Sequence, residues 1–142
     1  MNKRRLAVFV EGQTELVFVR EFLKQWYCYD VERIGFDCYN LHASQFCDAE
    51  YKYGREDSEN YFMIVNVGND NSVLSNIKSR VQYLKNKNYQ LVVGLRDMYS
   101  KQYIADAGGH RIDDITSNKH VESVRSALSA FPNGELVSFH FA

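Results

Sequence analysis

The chain has 142 residues with 45% hydrophobic and 25% charged side chains, enough for one domain with a core and too mixed for a disordered tail or a fibre. Its formal net charge of −1 excludes a histone-like basic protein, so binding to nucleic acid would need a local patch. No apolar run approaches the roughly 20 residues that cross a bilayer.

Leu6 to Val10 is a short continuous apolar run of strand-forming residues, as expected for a strand buried on both faces. It ends at Glu11-Gly12. Leu16, Val19, Phe22, Leu23 and Trp26 then recur at spacings of three and four and predict an amphipathic helix. Phe36 to His42 reads as a second strand. Ala43 to Asn60, with the charge run Arg55 to Glu59, reads as a surface excursion, partly helical.

Tyr61 to Val65 is the next apolar strand, followed by the turn residues Gly68 to Ser72. A helix over Val73, Leu74, Ile77, Val81 and Leu84 comes next, then a strand from Gln90 to Leu95 ending at Arg96-Asp97. Lys101 to Ser117 reads as a long loop or broken helix. Val121 to Phe131 reads as a last helix stopped by Pro132, the single proline, and Glu135 to Phe141 as a final strand.

Alternating strands and helices imply one domain over residues 1–142 with a mostly parallel central sheet of about four strands. Ligands of such sheets bind beyond the carboxyl ends of the strands. Glu11, the turn from Asn66 to Asp70, and Asp97 fall there. Two carboxylates on one sheet edge make a minimal magnesium site, since magnesium takes one or two protein carboxylates, waters and phosphate oxygens.

The segment Val8-Phe-Val-Glu11-Gly12-Gln-Thr-Glu15 resembles the first motif of Toprim domains, and Leu91-Val-Val-Gly-Leu-Arg-Asp97-Met-Tyr99 resembles the second, a strand ending in Asp-x-Asp. The similarity is to small stand-alone bacterial Toprim-like proteins, akin to the Toprim part of OLD-family nucleases and RloB-like proteins. It implies an α/β, three-layer, Rossmann-like domain. It also implies phosphoryl-transfer chemistry on nucleic acid with Mg2+ or Mn2+, as in a nuclease of bacterial phage defence.

By that resemblance Glu11 is metal ligand or general acid/base, Asp97 binds metal, and Glu15 is an additional acid of the first motif. Tyr99 stands where the second aspartate belongs, and a neutral phenol does not replace that charge. Relatives continue past a strand like Ser138 to Ala142, so the expectation is a fragment or a shortened copy lacking a C-terminal extension.

Arg96 and Lys101 are candidate phosphate contacts. Asp106, Asp113 and Asp114 are candidate substitutes for the missing acid, and His110 is the histidine to test. Tyr51-Lys52-Tyr53 is a candidate stacking surface for bases. Cys28, Cys38 and Cys47 form no CxxC pair and read as reduced and buried. The basic start and short apolar stretch lack a signal-peptide pattern, which gives a cytoplasmic expectation without membrane contact. The alternative function is a catalytically degenerate Toprim-like module that binds a protein partner, a second copy or nucleic acid. Tyr99 favours that alternative, whereas Glu11-Gly12 and Asp97 favour the enzyme.

Overall fold

Strand β1 (Arg4–Val10) sits in the middle of the sheet. Its apolar run has a neighbour on both sides, β5 (Asn60–Asn66) and β6 (Leu91–Arg96), and both pair with it in parallel. The expectation that these three runs are neighbours in one sheet is met. Strand β2 (Ile34–His42) pairs in parallel with β5, and β7 (Val137–Phe141) pairs in parallel with β6. The computed structural model describes residues 3–42, 45–46, 49–68, 73–96 and 134–141. The expected loop from Lys101 to Ser117 and helix from Val121 to Phe131 lie outside these residues.

Two short strands, β3 (Gln45–Phe46) and β4 (Tyr51–Tyr53), pair antiparallel with β2, giving a seven-stranded mixed sheet of order β3-β2-β5-β1-β6-β7, with β4 on β2. The sheet is therefore larger than the expected four strands. The excursion after His42 is not helical where described. It folds back along the edge of β2 because Tyr51 and Tyr53 stack on Phe36, with ring centroids 6.0 and 5.4 Å away. That packing spends both rings on the core, so the Tyr51-Lys52-Tyr53 segment does not present them as a stacking surface for bases.

Helix α1 (Gln13–Trp26) links β1 to β2, and helix α2 (Val73–Asn86) links β5 to β6. The two connections run across the sheet in opposite directions, so crossovers of one hand put the helices on opposite faces. The alternation of side chains along β1 agrees. Val8 and Val10 pack with Leu16, Val19 and Leu23 of α1, whereas Ala7 and Phe9 pack with Val73, Ile77, Val81 and Leu84 of α2.

One reading of the helical periodicity is corrected. Phe22 and Trp26 were expected on the buried stripe of α1, yet they are exposed. Leu16, Val19 and Leu23 alone fill the width of the contact with the sheet. Cys28 is also exposed, against expectation, while Cys38 is buried and both thiols are free. Cys47 lies outside the described residues. Among the described residues, no helix is long and apolar enough to cross a membrane.

Candidate functional site

Adjacent β1 and β5 send their chains to helices on opposite faces. Their carboxyl ends thus flank the crevice where sheets of this kind take ligands. Glu11 leaves β1 there, and Asn66 is the last residue of β5, in register with Val10. The ladder runs one step further, with Val67 N–H donating to the Val10 carbonyl at 3.0 Å. Across the crevice Asn66 Nδ2 donates to Gln13 Oε1 at 3.4 Å, and Asn66 Oδ1 accepts from Gly68 N–H at 2.9 Å. These bonds hold the start of α1 against the turn after β5.

Glu11 is 8% exposed, and Arg96, the last residue of β6, is 7% exposed. Arg96 Nε lies 3.9 Å from Glu11 Oε1. Two buried charges of opposite sign at the ends of neighbouring parallel strands form a mutually dependent pair, because each offsets the desolvation of the other. Both extend the side-chain alternation that points toward the α2 face, since Phe9 of β1 and Val92 of β6 belong to that core. Asn66 and Gln13 meet on the α1 face, where Ile64 packs. The crevice is thus charged on one side of the sheet and lined with amides on the other.

Glu15 lies in the first turn of α1, where a carboxylate suits the helix dipole. Its Oε2 reaches back over the N-cap residue Gly12, 3.2 Å from where a Cβ on that glycine would sit. A glycine at this point lets the carboxylate fold over the helix start.

Of the residues singled out in the sequence, Glu11, Glu15 and Arg96 are thus gathered at the carboxyl edge. β6 ends at Arg96, at that same edge. Asp97, Tyr99, Lys101, Asp106, His110, Asp113 and Asp114 lie outside the described residues. Among the described residues no group of three or more histidine, cysteine, aspartate or glutamate side chains converges on a point. A magnesium ion needs fewer, since waters and substrate oxygens complete its shell. The donor chemistry of Glu11, an ionisable carboxylate held at the crevice, fits a hard dication joined by a second acid.

Asn66 and Gln13 are the participants that sequence reasoning missed. The turn signal Asn66 to Asp70 marked the place but not the bond across to α1, which joins residues 53 positions apart. Asn40, the β2 residue in register with Asn66, extends this amide row, and its Oδ1 is buried without a hydrogen-bond partner among the described residues.

A cavity of about 350 Å³ lies at the opposite edge, by the amino ends of β1 and β5, lined by Lys3, Arg4, Arg5, Glu56, Asp57 and Ser58. Its Arg5–Glu56 pair, at 2.7 Å, has the glutamate largely in solvent. Such exposed pairs contribute little energy, so this edge is solvated surface charge.

The fold and the crevice define an α/β protein with a mostly parallel sheet and a polar carboxyl edge. No family model matches the chain, and no curated protein or solved structure matches it.

Proposed function

We propose that the chain is a Toprim-like protein, a three-layer Rossmann-like domain carrying out magnesium-dependent phosphoryl transfer on nucleic acid, as a cytoplasmic nuclease of bacterial phage defence. The observation that carries this reading is the placement of buried Glu11 beside Arg96 at the carboxyl ends of adjacent parallel strands, with Asp97 next in the chain. That is the sheet edge at which the two resembling motifs must meet.

In this reading Glu11 and Asp97, with Glu15 at the helix start, would hold Mg2+ or Mn2+, which when bound polarises a phosphoryl oxygen. Arg96, with Nε 3.9 Å from Glu11 Oε1, offsets the charge of that carboxylate at the crevice. The Glu11 carboxylate acts there as metal ligand or as general acid/base. Lys101 and the guanidinium of Arg96 supply positive charge for the phosphate. Asn66 and Gln13 keep the turn after β5 and the start of α1 at a fixed separation, which sets the width of the crevice.

A second reading has a specific observation behind it. The guanidinium already beside Glu11 offsets the negative charge that a dication would use, and Tyr99 adds none. This favours a degenerate module that binds nucleic acid or a protein partner without turnover.

The test is calorimetric titration with Mg2+ and Mn2+, joined to nicking of supercoiled DNA and cleavage of single-stranded DNA and RNA. The enzyme reading expects slow, metal-dependent cleavage that falls by about 100-fold or more in Glu11→Gln and in Asp97→Asn. Metal binding or nucleic-acid binding with no cleavage assigns the chain to the second reading. Cleavage that persists in chelator, or survives both substitutions, removes the metal mechanism.

A further inference from the structure

Helix α1 carries a surface that the chemistry above does not use. Phe18, Phe22 and Trp26, four residues apart, are 65%, 49% and 68% exposed. Their rings stack on one another along the helix, with centroids 6.1 and 5.7 Å apart and planes within 19° and 28°. Tyr29, just past the helix end, is exposed as well. Large apolar side chains gathered into one exposed patch mark an interaction surface, whereas single ones are ordinary.

We infer that this aromatic ladder is a self-association surface, on which two copies of the chain pack α1 against α1 about a two-fold axis near Phe22. This inference stands independently of the phosphoryl-transfer reading.

Area and geometry both favour a second copy. With aromatic side chains of about 150–250 Å² each, the four residues expose roughly 350–600 Å² per copy. A standard interface takes about 800 Å² from each partner, somewhat over half of it apolar, so the ladder supplies the apolar share of one such interface. In geometry, residues spaced by four form a single helix ridge. Ridges of that kind interdigitate at about −50°, and a ridge crossing its own copy gives an isologous, closed pair. The stacking also holds the rings in place beforehand, so little side-chain freedom is lost on association.

The charges around the ladder argue against a polyanion or an anionic bilayer. The cations of α1 are turned away toward β4. Arg20 lies 4.3 Å over the Tyr51 ring, and Lys24 donates to Tyr51 Oη at 2.9 Å and pairs with Glu21 at 3.0 Å. On the helical wheel the charged residues that flank the ladder are Glu15 and Glu21, both acidic.

Trp26 is the single tryptophan of the chain, so its emission reports on the ladder directly. The experiment is sedimentation velocity with tryptophan emission over about 1–100 μM chain, a range that spans ordinary dimer affinities. It uses the wild-type chain and Phe22→Glu. The wild type is expected to dimerise, with emission shifting to the red on dilution. In Phe22→Glu, two like charges meet at the axis and the dissociation constant rises by about 100-fold or more, with an unchanged circular dichroism melt of the monomer. A wild-type chain that stays monomeric throughout overturns the proposal, and this is also the outcome if residues 97–133 or a polynucleotide occupy the ladder. A dimer that persists undiminished in Phe22→Glu overturns it as well.

Discussion

Gly35 and Gly54 face each other where β4 leaves the edge of β2, and neither tolerates a side chain. A Cβ on Gly35 would fall inside contact distance of the Arg55 carbonyl, and one on Gly54 inside that of the Ile34 carbonyl. Gly54 also has φ +62°, in the left-handed region. Gly68 has φ +89° but open space around its missing Cβ. The three sites separate the two penalties. Gly68→Ala is expected to cost about 1–2 kcal/mol of backbone strain alone. Gly54→Ala adds a backbone clash, for about 3 kcal/mol or more in total. Urea unfolding of the variants checks the order, and equal losses at Gly54 and Gly68 would contradict it.

Both helices end in the same local device. In α2, Tyr89 N–H donates to the Leu84 carbonyl and Asn88 N–H to that of Lys85, with Asn88 at φ 67°. In α1, Tyr29 N–H donates to the Lys24 carbonyl and Cys28 N–H to that of Gln25, with Cys28 at φ 54°. These are Schellman motifs, which favour glycine or asparagine at the left-handed position. Asn88 meets that preference and Cys28 does not. Cys28 is exposed, so nothing is lost in packing when it is removed. Cys28→Gly is expected to stabilise the chain by about 0.5–1 kcal/mol, a rise in Tm of about 2–4 °C, while Asn88→Gly changes little. Thermal unfolding measures both. A lower Tm for Cys28→Gly would show that the left-handed turn is not strained.

Across the whole molecule, burial sets the response to alkali. Desolvation pushes the Cys38 thiol up from 9.0 to about 12, and burial next, then the bond from its hydroxyl to Asp37 at 2.9 Å, pushes Tyr61 up as well. Tyr39 and Tyr89 are also raised, by burial first. The unfolded chain releases these protons at lower pH than the folded chain. The folded state therefore holds more protons above pH 9, and stability falls as pH rises. For Cys38 the window runs from about 9 to about 12, and its share is a few kcal/mol at most. Urea unfolding at pH 7, 9 and 10.5 is expected to show a loss above pH 9 that is smaller in Cys38→Val. An identical loss in the two chains would mean that Cys38 ionises alike in both states.

Local patterns in the sequence determined much of this protein. Continuous apolar runs marked β1, β5 and β6, the spacing of Leu16, Val19 and Leu23 and of Val73, Ile77, Val81 and Leu84 marked the two helices, and Glu11-Gly12 marked the end of a buried strand. Each signal lies within about one element, where pleat or helical turn fixes its period. Only the tertiary structure decided what depends on residues far apart. β3 and β4 are too short to show a period, and β4 lies along β2 where Tyr51 and Tyr53 stack on Phe36. Phe22 and Trp26 share the apolar spacing of α1 yet stay outside, because the sheet covers only part of that helix. The ion pair of Glu11 and Arg96 joins the ends of two strands 85 residues apart in the sequence. Nothing local encodes it; it follows from β6 choosing β1 as its parallel neighbour, a choice made by the burial of both strands together.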